Sequence, residues 1–350
     1  MRILEINTER GWRGGERQTL LAVQGFQELG LDVTLLCRTG SKLAGLAGNS
    51  AEKVENRSGF WGFVFYLLGS GKKFDVIHVH TARDQTLAVL TKWVHKRPIV
   101  YSRRVEFVPK GSITQWKYSQ TDQVVAISKA VATVLEEFTG KPIPVIPDCL
   151  TIRTLSKNRA DRFLLDQSLK ADYFIGTMAA LTVEKDPFTM LKAIKRLSEK
   201  RSDFVFLHFG DGILKPELEA KIEELGLKER YKLLGHVDEV EDFFSILSVY
   251  LMSSEREGLG STVLEAMAYE VPVVSTDAGG LKETVGDRGF LSPVGDVEAL
   301  ASNINQTLNA LSNSELTPKR LEARDFVLEN YSVDKVSAEY QKLFSALIIP

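Results

Sequence analysis

Short apolar runs alternate with amphipathic stretches along almost the whole chain, and that alternation leaves few folds open. In the first half, strands are predicted at residues 2–6, 32–36, 75–79, 98–102, 123–127 and 143–146, with helices at 16–29, 85–95 and 129–138 between them. In the second half, strands are predicted at 173–178, 204–208, 231–234, 247–251 and 272–275. Strands that take turns with helices must pair in parallel, because the helix supplies the crossover, and the result is a doubly wound α/β sheet. At 350 residues with 44% hydrophobic content, the chain can bury two cores of roughly 150 residues or more each. Prolines close the last strand of the first half, and a mixed, charged stretch runs from Pro147 to Leu169. Two Rossmann-like domains are therefore predicted, over 1–165 and 166–331, with a final helix at 332–350. No internal repeat or low-complexity tract interrupts them.

Composition narrows the setting. Cys37 and Cys149 form no C-x-x-C pair and no disulfide framework, as in a reducing compartment. Met1-Arg2-Ile3-Leu4 enters a strand directly, so no signal peptide is expected. The longest apolar run is too short to span a bilayer. The expected location is the cytoplasm, at most on the membrane's inner face. The net charge of −2 hides 20 Lys and Arg against 14 Asp and Glu in residues 1–150, and 24 against 32 in the remainder. The basic half also holds all four tryptophans, Trp12, Trp61, Trp93 and Trp116, close in sequence to Lys72, Lys92, Lys96 and Lys117. Cations and indoles on one surface suit anionic lipid headgroups; the alternative is tryptophans in the core and cations on an ordinary solvated face.

The segment from Ser254 to Met267 carries the most chemistry. It follows an apolar strand, bends at Gly258 and Gly260, and continues from Thr262 with helical spacing. A strand, a tight loop and a helix N-terminus make a site for anions such as phosphate. Glu257 and Glu265 stand eight positions apart across the bend, and carboxylates accept hydrogen bonds from sugar hydroxyls. Two plainer readings stay open. Thr262 and Glu265 fit a capping box, and Glu257 fits a solvated loop acid. His78 and His80, two apart on a predicted strand, offer a metal pair without an evident third ligand; no metal site is expected.

These residues resemble the E-x7-E motif of retaining glycosyltransferases of family 4. Further pieces follow in that family's order: Gly14-Gly15-Glu16-Arg17-Gln18, Leu181 to Lys185-Asp186, Gly210-Asp211-Gly212, Leu234-Gly235-His236-Val237, and Pro272-Val273-Val274 leading to Gly279-Gly280. The resemblance implies the GT-B fold, two Rossmann-like domains facing across a cleft, with the final helix crossing back to the first. It implies Glu257, Lys185 and His80 as catalytic residues, and Gly14, Gly15, Gly210, Gly258, Leu259, Gly260, Ser261 and Glu265 as donor-binding. Glu257 would meet the donor sugar's hydroxyls, Glu265 the nucleotide ribose, Lys185 the diphosphate, and His80 the transferred sugar. Arg103 and Arg104, at a predicted strand end, are candidates for an anionic acceptor. Ala180 stands where the family often has arginine, which puts donor affinity and identity in question.

The expected reaction is transfer with retention from a nucleotide-sugar, UDP-linked, to a glycan or glycolipid of a bacterial envelope. No cofactor or metal is expected, since the chain contains no D-x-D. A sugar-nucleotide epimerase or hydrolase and a non-catalytic nucleotide-sugar-binding protein are the competing readings.

Overall fold

The computed structural model describes residues 1–48, 53–312 and 315–348. Residues 349 and 350 of the predicted closing helix lie outside them. The chain divides into two compact units, Met1–Thr151 with Glu329–Pro350, and Ile152–Leu328. The first runs β1 (Arg2–Asn7), α1 (Gly14–Glu28), β2 (Asp32–Arg38), α2 (Lys42–Ala47), β3 (Val54–Arg57), α3 (Gly59–Ser70), β4 (Val76–Val79), α4 (Ala82–His95), β5 (Ile99–Arg103), α5 (Ser112–Gln120), β6 (Gln123–Ala126) and α6 (Lys129–Thr139). The second runs α7 (Lys157–Asp166), β7 (Tyr173–Met178), α8 (Pro187–Ser198), β8 (Phe204–Phe209), α9 (Lys215–Glu224), β9 (Tyr231–Gly235), β10 (Val249–Met252), α10 (Ser261–Ala268), β11 (Val273–Thr276), α11 (Leu281–Val285), β12 (Phe290–Ser292) and α12 (Val297–Ser312). Then α13 (Thr317–Tyr331) leads to α14 (Val333–Ile348), which returns to the first unit.

Each unit holds one parallel six-stranded sheet, ordered β3-β2-β1-β4-β5-β6 and β12-β11-β10-β7-β8-β9. The strands are apolar on both faces because helices cover both; Ile3, Leu4 and Ile6 of β1 have no exposed surface. Each sheet begins near its middle, winds out to one edge, and then winds to the other. The reversal falls between β1 and β4 in the first unit and between β7 and β10 in the second. There the following loops leave in opposite directions and open a crevice at the strands' carboxyl ends.

Helix α14 completes the first core. Val336, Tyr340 and Phe344 recur at helical spacing and are all buried, and the Phe344 ring meets Phe26 at 5.5 Å and His78 at 5.4 Å. Gly25 permits this: a Cβ there would lie 2.1 Å from Ser337 Oγ.

Four features differ from expectation. Strand β3 was not predicted, because Val54-Glu55-Asn56-Arg57 is a polar edge strand without an apolar face. The three-residue β12 was too short to register. Residues 143–146 make only an isolated bridge, Ala126 to Val145, since Pro142 and Pro144 lack the N–H a ladder requires. The first boundary falls at Thr151, not 165. Helix α7 belongs to the second unit, where Ser156 N donates to Asp242 at 2.8 Å and Phe163 packs on Phe243 at 4.9 Å.

Replacing Phe344 by alanine should lower the unfolding free energy of the first unit by about 3–5 kcal/mol, measured by urea titration. A loss under ~1 kcal/mol would mean the helix is not part of that core.

Candidate active site

In the second unit, the loops after β7 and β10 meet at the reversal. After β7 the chain passes exposed Ala180 and forms a short turn of 3-10 helix, Val183–Lys185. After β10, Ser253 Oγ donates to the carbonyls of Lys185 at 3.0 Å and Asp186 at 2.8 Å, and Glu255 N donates to Glu184 O at 2.9 Å. These bonds lock the two loops together. Across them the Lys185 ammonium donates to the Glu257 carboxylate, which Ser254 Oγ also reaches at 3.4 Å. Both side chains keep partial solvent access, 26% and 14%.

The glycines here are required by contact. Gly280 N donates to Glu257 O at 2.8 Å, and a Cβ on Gly280 would lie 2.2 Å from Gly258 O. Gly260 has φ +84° and caps α10 with no side chain bonded to the cap. The first N–H groups of α10, at Ser261 and Thr262, thus lack a side-chain cap, an arrangement of the kind that suits an anion. This overturns the capping-box reading of Glu265, because Thr262 lies inside the helix and its hydroxyl accepts from Tyr250 at 2.7 Å. Glu265 is one turn further on and 4% exposed.

Two predicted donor residues serve packing. Leu259 is buried, and its carbonyl accepts from Thr284 at 2.8 Å. Gly210, with φ +145°, sits where a Cβ would be 1.9 Å from Ala179 O, so it is needed to join β7 and β8 at their ends.

In the first unit, the loops after β1 and β4 are joined by Asp84, which accepts from Thr8 Oγ1 at 2.6 Å and Thr81 Oγ1 at 2.7 Å. Gly14 and Gly15 open α1, with nothing within 4 Å of where a Cβ would stand. Beneath lies a buried polar chain. Glu5 of β1 pairs in register with His78 of β4, and its carboxylate meets His78 Nδ1 at 2.8 Å and His80 Nε2. His78 Nε2 lies 2.7 Å from Ser102 Oγ, which is 2.6 Å from the Tyr340 hydroxyl. Arg104 donates to His80 Nδ1 at 2.9 Å and to Asp148 at 2.8 Å. A guanidinium only donates. His80 Nδ1 must therefore accept, and the ring proton sits on Nε2, facing Glu5.

Burial pushes the His80 pKa down, as do the charges of His78 and Arg104, against the pull of Glu5. Burial alone would raise the Glu5 carboxyl, but the imidazoles around it outweigh that and hold it well below the usual carboxylate range. Glu5, His78 and His80 also bring three metal-ligating atoms within 4.8 Å of one another. Yet Glu5 Oε1 and His78 Nδ1 are 2.8 Å apart, whereas ligands ~2.1 Å from a tetrahedral ion stand about 3.4 Å apart. The spacing is that of hydrogen bonds.

Two expectations are corrected here. His80 has both ring nitrogens engaged and a side chain 1% exposed, so it presents nothing to a sugar and instead holds Arg104. Arg103 is turned inward, its guanidinium bonded to the carbonyls of Val105 and Phe107. Arg104 keeps partial exposure at 14%. Sequence reasoning missed Glu5, Ser253 and Ser254. Only Glu5 left a signal, a carboxylate inside an otherwise apolar strand.

Residues 164–320 match the family model of glycosyl transferases group 1, and residues 12–151 match that of glycosyltransferase family 4. The chain belongs to glycosyltransferase family 4. This family 4 enzyme is 28% identical over 226 residues to the 2-deoxystreptamine glucosyltransferase of Streptomyces kanamyceticus, covering 61% of the chain and 58% of that protein. It is 28% identical over 188 residues to the lipopolysaccharide core biosynthesis glycosyltransferase LpsE of Rhizobium meliloti, covering 53% of each. The chain thus spans little more than half the length of these two relatives. Its fold is GT-B, matching HepE of Anabaena, solved with UDP and glucose, at a TM-score of 0.84 and 19% identity over 99% of this chain and 100% of that one.

The buried histidine of this family 4 chain has a pH signature. With the folded-state pKa of His80 depressed, the unfolded chain takes up the proton first, so stability falls as pH drops below about 6.5. His80→Gln cannot titrate there. It should flatten that fall by up to about 1.4 kcal/mol per pH unit, read from urea midpoints across pH; parallel curves for the two proteins would contradict the assignment.

Proposed function

We propose that the chain is a retaining glycosyltransferase that moves a sugar from a UDP-linked donor to a glycan or lipid-linked acceptor in envelope polysaccharide or lipopolysaccharide assembly. The observation that carries this reading is the Lys185–Glu257 pair at the reversal of the second sheet, beside the uncapped start of α10. An ammonium and free N–H groups there suit a diphosphate, and a carboxylate beside them suits sugar hydroxyls. HepE, of the same fold, was solved with UDP and glucose, and LpsE acts in lipopolysaccharide core biosynthesis; both support the choice of donor and pathway.

In this reading the donor divides the pair. Lys185 leaves Glu257 for the diphosphate, Glu257 takes the sugar hydroxyls, and Glu265 takes the ribose. The bond from the anomeric carbon to the diphosphate breaks, and the acceptor oxygen bonds that carbon from the same face. The acceptor's proton passes to a departing phosphate oxygen, so no protein nucleophile is needed. Lys185 and the N–H groups of Ser261 and Thr262 stabilise the charge that develops on the leaving group, and the proposal needs no metal. Gly14 and Gly15 leave room at the start of α1 for the acceptor, and Arg104, held by His80 and Asp148, suits an anionic one. No helix of the described residues is long and apolar enough to cross a membrane. A cytoplasmic location, with peripheral contact on the anionic inner face of the membrane, completes the proposal.

A thermal-shift screen of UDP-, GDP-, ADP- and TDP-sugars should show the largest shift with a UDP-sugar. Glu265→Ala should weaken that donor about ten- to hundredfold, the worth of hydrogen bonds to a charged group. Glu257→Ala should suppress transfer, followed as UDP release with an acceptor panel. Wild-type turnover from both variants would overturn these roles, and donor consumed without any glycosylated product would make the chain a hydrolase or epimerase.

A further inference from the structure

Helices α3, α4 and α5 make one layer on a single face of the first sheet. Right-handed crossovers put the connections β3 to β4, β4 to β5 and β5 to β6 on the same side. Side chains tie the layer together: Arg97 Nη2 donates to Lys72 O at 2.7 Å, and Lys117 Nζ donates to Thr86 Oγ1 at 3.1 Å. Each helix exposes one tryptophan: Trp61 at 66%, Trp93 at 74% and Trp116 at 46%. The fourth, Trp12, packs against the core.

Around Trp61 the apolar surface is continuous. Phe60 lies 5.5 Å from it and Phe65 6.2 Å, ring to ring, and both are exposed. Helix α3, Gly-Phe-Trp-Gly-Phe-Val-Phe-Tyr-Leu-Leu-Gly-Ser, carries no charge. Its flanks are basic: residues 59–120 contain ten Lys and Arg against three acidic residues, and Lys72, Lys73, Arg83, Lys96 and Lys110 are exposed. Of those three, Asp84 is buried and Asp75 is bonded to Arg2.

We infer that the outer face of α3, α4 and α5 docks on an anionic lipid bilayer, with Trp61, Phe65 and Trp93 entering the interface and Lys72, Lys73 and Lys96 meeting headgroup phosphates. This gives a surface to the membrane contact proposed above and stands apart from the transfer chemistry. Indoles and phenyl rings prefer the boundary between headgroups and acyl chains, and each cation near such a surface adds attraction. The charge balance selects the occupant. A second copy of the chain would set exposed cations against the same cations, and a nucleic acid would leave the uncharged α3 without a partner.

The test is co-sedimentation of the full chain with vesicles of phosphatidylcholine alone and with a third of phosphatidylglycerol, at low and at molar salt. Binding should require the anionic lipid, weaken with salt, and shift tryptophan emission to the blue. The triple variant Trp61→Ser, Phe65→Ser, Trp93→Ser should bind roughly tenfold or more weakly and lose the blue shift. Lys72→Gln with Lys73→Gln should cost about fivefold per charge. All five side chains are exposed, so unchanged circular dichroism and melting temperature certify the fold. Three outcomes overturn the proposal: no sedimentation with anionic vesicles, equal binding of the variants, or a dimer in analytical ultracentrifugation that the triple variant abolishes. Each is distinguishable from failure of the transferase reading, because the melting shift with UDP-sugars is read on the same protein without vesicles.

Discussion

A parallel sheet that starts at its centre and winds to both edges leaves two neighbouring strands whose following loops part company. The Lys185–Glu257 pair and the Glu5–His78–His80 chain both lie at such places. In the second unit the parting lies between β7 and β10, and two opposite charges, Lys185 and Glu257, span it. The surrounding backbone is arranged for that contact. Ser253 fixes one loop to the other, Gly280 lets a third loop close on Gly258, and Gly260 starts α10 without a side-chain cap. The pair keeps partial solvent access on both side chains, which the proposed exchange of partners requires. A buried structural ion pair would instead be enclosed and fully hydrogen-bonded.

The first unit solves the opposite problem at its own parting. Glu5, His78, His80, Arg104 and Asp148 are mutually bonded charges and rings beneath the strand ends. Burying them without partners would cost several kcal/mol, and their arrangement fixes one tautomer of His80. What reaches solvent is Arg104, already oriented. Helix α14, from the far end of the chain, closes this network through Tyr340. The last residues of the sequence thereby bear on the geometry of the first strand.

Much of this was legible from residue order. The doubly wound class followed from alternation, and ten of the twelve described strands lay close to their predicted positions. The exceptions were local: β3 is polar and at an edge, β12 is three residues long, and the prolines around residues 143–146 break a ladder that the apolar pattern predicted. The Lys185–Glu257 contact was foreshadowed only as two separate candidates, since 72 residues divide them. His80 and Arg103 were misjudged for a shared reason. Position at a strand end says that a side chain is near a crevice, but not whether its polar atoms are already taken by Glu5 or by the carbonyls of Val105 and Phe107. The tryptophans show the complementary limit, because amphipathic spacing left open which of them faced solvent until the helices had neighbours.

The central claim is that Glu257 recognises the sugar and is released from Lys185 when the diphosphate arrives. Calorimetric titration of the wild-type protein and the Glu257→Gln variant with UDP and with UDP-glucose tests it directly. The account predicts that the variant binds UDP as tightly as wild type or more tightly, because Lys185 no longer has a competing carboxylate, and that it loses the extra affinity supplied by the glucose. Equal losses for both ligands, or no change for either, would contradict it.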